Sequence, residues 1–591
     1  MCGFAGEFTT MRAPDIEAVR RMGETMCDRG PDGSGEWSDQ RVALAHRRLK
    51  VIDLSPAGDQ PMVDAELGLT IAFNGCIYNH RELRRELERE GYSFFSSSDT
   101  EVILKAYSCW GTRCVDRFAG MFAFALYEHR SGRLILVRDR LGIKPLYLAS
   151  AGDSLRFAST LPALLAGGGV DTDLDPVALH HYLSWHAVVP APHTILKGVR
   201  KLAPATVMTV EPDGARRSET YWRADFTRRA EDADWGRNEW AGAVLSALRQ
   251  AVERRMVADV PVGVLLSGGL DSSLIVALLA ESGQDELATF SVGFDDVGDR
   301  EGNEFRFSDL IAEVFDTDHH KIHVPTERML PALDGAIKAM SEPMVSHDAV
   351  AFYLLSQEVA RSLKVVQSGQ GADEVFAGYS WYQPLIDVDG TGADAYQAEF
   401  FDRPHGEMAR ALTDAYLPSG DPSRAFLDRH FEQPGADRPV DRALRLDTEI
   451  MLVDDPVKRV DNMTMAWGLE ARTPFLDHEL VELAAACPPE LKLADGGKGI
   501  LKAAARSMLP EMVIDRPKGY FPVPALSTLE GATLALVGET LDEPAVRERG
   551  LFRPEHTREL LAAPNEHLTT LEGSKLWQLA LLELWLRGHG I

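Results

Sequence analysis

Leu265-Leu266-Ser267-Gly268-Gly269-Leu270-Asp271-Ser272-Ser273 is the stretch whose reading decides the fold of the second half of the chain. The apolar, β-branched segment Val260–Leu266 before it has strand length. Asp271–Ser282 after it carries Leu274, Ala277, Leu278 and Leu279 at helical spacing. A Ser-Gly-Gly turn between a strand and a helix leaves backbone N–H groups and hydroxyls facing open space at a positive helix end. Such a turn can hold a pyrophosphate, with Asp271 placed to hold its magnesium. It lacks the eight-residue lysine-bearing pattern used for γ-phosphate transfer. Taken alone, the loop also reads as a Gly-rich connection with no ligand.

Downstream, Leu287–Phe294, His320–Val324 and Lys364–Ser368 read as short strands between helices, which predicts a mostly parallel, doubly wound α/β sheet. Its ligands belong at the carboxyl ends of the strands, in the loops after Leu266, Val292 and Gln367. Upstream, Val42–Leu49, Leu69–Ile77, Met121–Tyr127, Leu134–Arg138 and Leu155–Ala158 read as strands, and His80–Glu90 and Thr100–Trp110 as helices. Many short strands with tight turns predict stacked antiparallel sheets flanked by helices. The turn Glu211–Gly214 and the polar stretch Ala224–Asn238 place the boundary, giving a first domain over 2–215, a linker over 216–238 and a second domain over 239–591.

The 591 residues carry a net charge of −28, which excludes nucleic acid and anionic membrane as general partners. Magnesium screens phosphates locally, so nucleotide binding is not excluded. The six cysteines show no metal-ligand spacing, no secretory leader is read at the start, and no apolar run is long enough to cross a bilayer. A cytoplasmic, reduced protein is the expectation. The chain opens Met1-Cys2-Gly3. Removal of the methionine would leave a thiol and an α-amine on one residue, a nucleophile with its own general base.

Around that cysteine the motifs Cys2-Gly3, Arg29-Gly30-Pro31-Asp32, His46-Arg47-Arg48-Leu49, Phe73-Asn74-Gly75, Ser98-Asp99-Thr100-Glu101 and Arg138–Tyr147 follow one another in the order of the class II glutamine amidotransferase domain. The resemblance implies an αββα N-terminal-nucleophile sandwich that hydrolyses glutamine to glutamate and ammonia. Cys2 would attack the side-chain amide. Asn74 and the Gly75 N–H would form the oxyanion hole, and Arg48, Leu49, Ile52 and Asp99 would bind glutamine, Arg48 at its α-carboxylate and Asp99 at its α-ammonium. Cys76 stands where this family commonly has glutamate, which shifts recognition of the amino group towards Asp99.

In the second half, Ser368–Tyr379, Arg459–Asp461, Leu469–Asp477, Lys498–Lys502 and Arg516-Pro517-Lys518-Gly519-Tyr520 resemble the synthetase domain of glutamine-hydrolysing asparagine synthetases, whose Ser-Gly-Gly turn is a pyrophosphatase-type loop. The resemblance implies ATP and Mg2+ as cofactors. Leu265, Ser267, Gly268, Gly269, Asp271, Ser272, Val292, Ser368 and Gly369 would form the nucleotide site. Asp271 and Asp373 would hold the metal, and Lys498 would act in catalysis. A carboxylate would become an acyl-adenylate, and ammonia, kept neutral in a dry passage between the sites, would convert it to the amide.

Gln370 stands where the family usually has an acidic residue, beside the acceptor. With Gly378–Tyr382 and Ser341–Asp348, it looks most like the N-acetylglutaminylglutamine amidotransferase branch, whose members make an osmoprotectant dipeptide amide. Asparagine synthesis from aspartate is the alternative acceptor chemistry, and a non-catalytic nucleotide or glutamine sensor the alternative of another class. The polar segment Trp381–Arg442 is the candidate acceptor cover. Small molecules are the expected partners (glutamine, ATP and a carboxylate), with a homodimer the candidate assembly.

Overall fold

The computed structural model describes every residue except Met1, Asp285, 297–301, His347 and 517–527. The motif positions His347 and Pro517-Lys518-Gly519-Tyr520 therefore lie outside the described residues, as does Met1.

The first half builds two six-stranded antiparallel sheets. One runs in the order Val199–Lys201, Tyr147–Ala151, Ser154–Ala158, Gly3–Thr9, Val42–Arg48, Gly33–Ser38. The other runs Arg216–Thr220, Thr206–Val210, Leu134–Arg138, Gly120–Glu128, Leu69–Ile77, Met62–Asp64. Side chains alternate across a strand, so Phe4, Phe8, Val42 and Leu44 of the first sheet meet Ala72, Ala123, Ala125 and Leu136 of the second in one buried layer. The outer face of the second sheet, with Ile71, Phe73 and Phe124, is covered by Leu83 and Leu87 of helix His80–Arg89 and Val102, Ile103 and Ala106 of helix Asp99–Trp110. Val19 and Met22 of helix Ile16–Glu24, with Leu161 and Leu164 of helix Leu161–Gly167, cover Ala5, Ala43 and Ala45 on the other side. The four layers are those expected of an αββα sandwich.

The last strand, Arg216–Thr220, pairs with Thr206–Val210 and carries the second sheet past the expected boundary at 215. Its Arg-Arg-Ser-Glu-Thr sequence is exposed throughout, so no apolar alternation announces it. The next long helix, Arg237–Arg254, leads into the second half.

There, five parallel strands stand in the order Asp318–Val324, Ala288–Phe294, Val262–Leu265, Val365–Gln367, Glu470–Arg472. The chain moves outward from Val262–Leu265 in both directions, so the crevice at that strand's carboxyl end is the switch point where an open α/β sheet binds ligands. The sequence places four of these strands; Glu470–Arg472, three residues with charged ends, reads only as part of a motif.

Segment 381–442 supplies helices Ala393–Phe400, His405–Ala411, Pro422–Phe431 and Pro439–Leu446. It does not cover the crevice, because its aromatic side chains turn inward. Trp381 Nε1 at 3.1 Å, Tyr382 OH at 2.5 Å and Tyr396 OH all donate to the buried carboxylate of Asp447. Burial pushes Asp447 up to about 6 despite these three donors. The terminal helix Lys575–Gly588 is buried along most of its length, as its Leu- and Trp-rich sequence predicts. Among the described residues no helix is long and apolar enough to cross a membrane.

Candidate active sites

Two sites stand out, a small pocket at Cys2 and a larger cleft at the carboxyl ends of the parallel strands. In the first, Cys2, Arg48, Leu49, Ile52, Gly75, Cys76 and Asp99 line one small pocket. Cys2 precedes strand Gly3–Thr9, and its backbone N–H donates to Asn74 Oδ1 at 3.0 Å. That bond fixes the amide and leaves Asn74 Nδ2 buried with no hydrogen-bond partner among the described residues. A buried donor of this kind costs about 1–3 kcal/mol unless something accepts from it, which suits it to a developing oxyanion. Burial raises the Cys2 thiol against the opposing pull of nearby positive charge, Arg48 included, and Leu49 O lies 4.0 Å from its sulfur.

Asp99 opens helix Asp99–Trp110, and its Oδ2 accepts from Ile77 N at 3.0 Å. Burial raises its pKa, partly countered by His80, so an arriving ammonium would recover the cost of ionising it. Arg48 sits at the pocket wall already engaged: Nη1 donates to Ser55 O at 2.9 Å and Asp59 Oδ1 at 2.5 Å, and Nη2 to Ile52 O at 3.4 Å and to Asp53 O. A carboxylate could reach Nη1 by displacing Asp59, which is more than half exposed, while Nη2 stays on the two backbone carbonyls.

Glu470 completes this pocket from the other half of the chain, a contribution the motif reading does not anticipate. Arg472 Nε holds Glu470 Oε1 at 2.6 Å, and Arg472 Nη2 reaches the Cys76 sulfur at 3.8 Å. Burial works against the Glu470 carboxylate, but Arg472 and Lys144 are among the cations that bring it down to about 2. Beside it, Asp461 accepts from Arg29 at 2.9 Å and from Lys144 at 3.2 Å, all three buried, tying the sandwich to the parallel sheet.

The second site is a cleft of about 550 Å³ at the switch point. Leu265, Ser267, Gly269, Asp271, Ser272, Val292, Ser368, Gly369, Gln370, Asp373 and Lys498 all line it, bringing together almost every expected nucleotide and metal residue. Gly268 does not line it; it makes the turn behind. Its φ is +70°, and a Cβ there would come within 2.5 Å of Ser308 N. Ser267 Oγ lies 3.0 Å from Ser272 Oγ, and Gly269 N donates to it at 3.3 Å.

Lys498, itself left-handed at φ 55°, places its ammonium 2.7 Å from Asp271 Oδ2 and 2.9 Å from Asp373 Oδ1. Burial alone would lower its pKa; the two carboxylates outweigh that and raise it. Gly378 allows this approach, since a Cβ there would fall 2.0 Å from Asp373 Oδ1 and 2.3 Å from Lys498 Cε. The pair of carboxylates thus already holds a cation between them, a donor set of hard oxygens that suits magnesium.

At the far end, Asp348, Phe352 and Leu355 of helix Asp348–Val359 line the cleft with Arg459, Tyr379 and Glu374. Arg459 is buried. Its Nη1 donates to Ser346 Oγ at 2.8 Å and lies 3.5 Å from Asp455 and 3.9 Å from Asp348, while its Nε has no hydrogen-bond partner among the described residues. No residue of 381–442 lines the cleft, which overturns the expected acceptor cover.

Strand Glu470–Arg472 touches the cysteine pocket at one end and neighbours Ser368 of the cleft at the other. Glu470 faces the cysteine pocket, and Arg472 O accepts from Ser368 N at 2.8 Å beside the cleft.

The glutamine amidotransferase domain family model matches residues 1–222, and the asparagine synthase family model matches residues 243–587. Asparagine synthetase [glutamine-hydrolyzing] 1 of Bacillus subtilis (strain 168) is 31% identical over 571 residues, covering 89% of this chain and 87% of that protein. Asparagine synthetase B [glutamine-hydrolyzing] of Escherichia coli (strain K12) is 30% identical over 546 residues, covering 88% and 82%. A cysteine pocket and a carboxylate-lined cleft, met in this order and matched along both halves, place the chain in the glutamine-hydrolysing asparagine synthetase family, ligases that form carbon–nitrogen bonds by glutamine-dependent, ATP-driven amidation.

Proposed function

We propose that the chain amidates the terminal carboxylate of N-acetylglutaminylglutamine. Cys2 attacks the glutamine side-chain amide and releases ammonia with formation of a thioester, which water then hydrolyses to glutamate. Asn74 Nδ2 and the Gly75 N–H carry the oxyanion. Asp99 takes the α-ammonium, and Arg48 takes the α-carboxylate as Asp59 gives way. Neutral ammonia crosses along strand Glu470–Arg472.

In the cleft, the Ser267–Ser272 turn holds the phosphates of ATP, with Leu265, Val292, Ser368 and Gly369 around the nucleoside. Asp271 and Asp373 would hold magnesium, which would screen the phosphates. The acceptor carboxylate displaces pyrophosphate to give the acyl-adenylate, and ammonia displaces AMP. Lys498 neutralises charge gathering on the phosphate in that second step.

The observation that carries the choice of acceptor is the character of its end of the cleft. Gln370 offers hydrogen bonds without charge, and Arg459 stands between Asp348 and Asp455 with Nε lacking a partner among the described residues. A charge-balanced arginine with a donor to spare suits the carbonyl oxygens of a peptide. The relatives' names favour aspartate as the second reading. AMP formation by the purified enzyme with ATP, magnesium and glutamine decides between them. The dipeptide should give turnover at least tenfold above aspartate, and the reverse ratio would establish asparagine synthesis.

A further inference from the structure

A group of side chains used by neither site lies where helix Pro176–Ser184 of the first half meets segment 381–442. His180 Nε2 is 3.0 Å from His405 Nδ1 and 3.8 Å from Asp421 Oδ1, and the three ligand atoms lie within 4.8 Å of one another. From this geometry we infer a zinc-class divalent metal site formed by His180, His405 and Asp421. Zinc bonds nitrogen and oxygen at about 2.0–2.2 Å, so the edges of its tetrahedron are about 3.4 Å long. The two edges at His180, 3.0 and 3.8 Å, bracket that length, and the third, between His405 and Asp421, is no longer than 4.8 Å.

The surroundings prepare His180 as a ligand. It is fully buried, and its other ring nitrogen, Nδ1, lies 2.8 Å from Ser423 Oγ and 3.2 Å from Ser184 Oγ. With the proton on Nδ1 and donated to Ser423, the Nε2 lone pair points at His405 and Asp421, the outer contact that orients a metal-binding imidazole. Ser423 Oγ is also 3.0 Å from His181 Nδ1, so its own proton has an acceptor. Asp421 Oδ1 accepts from Arg424 N at 2.8 Å, which holds the carboxylate at the start of helix Pro422–Phe431. Asp421 is partly exposed, leaving an entry path and a fourth position for water. Two imidazoles and one carboxylate form a set suited to zinc rather than magnesium or calcium.

Residues 180, 405 and 421 come from three separate helical regions, so the ion would bind the folded chain and staple segment 381–442 to the first half. The test uses the untagged full-length protein, stripped with chelator, re-equilibrated with zinc chloride and desalted. One zinc per chain is expected by elemental analysis, with a zinc-dependent rise in melting temperature and an X-ray absorption first shell of nitrogen and oxygen at about 2.0–2.1 Å. His405→Ala should lose the stoichiometric zinc and the melting shift while keeping glutaminase activity. Asp421→Asn, which still caps the helix, should weaken binding at least tenfold and serves if His405→Ala does not fold. Retention of no zinc by the native protein, or equal retention by native and substituted proteins, would leave a hydrogen-bonded histidine pair and overturn the site.

Discussion

Lys498→Met separates two roles that the cleft geometry gives to one side chain. The lysine ammonium is within 2.9 Å of both Asp271 and Asp373, so the two carboxylate oxygens are at most 5.6 Å apart. Magnesium binds oxygen at about 2.0–2.1 Å, so a shared ion would draw those oxygens to roughly 4 Å and push the ammonium out. Lysine and metal would therefore compete for the same carboxylates before nucleotide binds. Each lysine–carboxylate contact is a charge-assisted hydrogen bond worth about 1.5–3 kcal/mol, so removing the ammonium should tighten magnesium binding to the nucleotide-free enzyme tenfold or more. The catalytic effect has the opposite sign. Losing a cation aimed at developing phosphate charge costs about 10²–10³ in kcat, some 2.7–4 kcal/mol. Titration calorimetry with magnesium and AMP release under saturating ATP measure the two effects. Weaker magnesium binding together with slower turnover would show that Lys498 supports the metal ligands rather than competing for them, and the reasoning would fail.

Cys2→Ala should abolish glutamine-driven synthesis and leave ammonia-driven synthesis within a few-fold of native, read by AMP formation with each nitrogen source; equal loss of both would contradict the division between the two sites. Asp271→Ala should stop AMP formation whichever nitrogen source is supplied. Because burial raises Asp99 above its ordinary value, and the ammonium of glutamine would need it ionised, KM for glutamine should rise as pH falls through that raised pKa. Asp99→Asn should have a KM at least tenfold higher and flat over the same range. Asp461→Asn strands the buried cations Arg29 and Lys144, which should cost about 3–5 kcal/mol, seen as a lowered melting temperature. Those cations, overcoming burial, hold Asp461 below its usual value, so the stability it supplies is present above about pH 4 and lost as pH falls through the depressed pKa.

Local chemistry was legible wherever it was continuous in the chain. The strand–turn–helix at Val260–Ser282 required only an apolar run, two glycines and a helical stripe, and the structure places the strand at Val262–Leu265 and the helix at Leu270–Glu281. The ordered motifs around Cys2 likewise contain Arg48, Leu49, Gly75 and Asp99, which line its pocket, and Asn74, which does not line it but accepts from Cys2 N. Strands lacking a hydrophobic signal were not legible. Arg216–Thr220 is an exposed edge, and Glu470–Arg472 is held by pairing and buried ion pairs rather than by an apolar pattern. The polar composition of segment 381–442 suggests a cover, whereas Trp381, Tyr382 and Tyr396 fold inward onto the single carboxylate of Asp447.

From the order of residues alone came the family resemblance, the two halves and Cys2 as the candidate nucleophile, because each rests on a few neighbours along the backbone. Tertiary structure alone decided that Glu470 lines the pocket of the opposite half, that Asp59 occupies the guanidinium of Arg48, and that Arg459 lines the cleft with its buried Nε lacking a hydrogen-bond partner among the described residues. Those contacts join residues far apart in the chain, or depend on which way a buried charge points, and packing and electrostatics settle both only once the sheets have closed on one another.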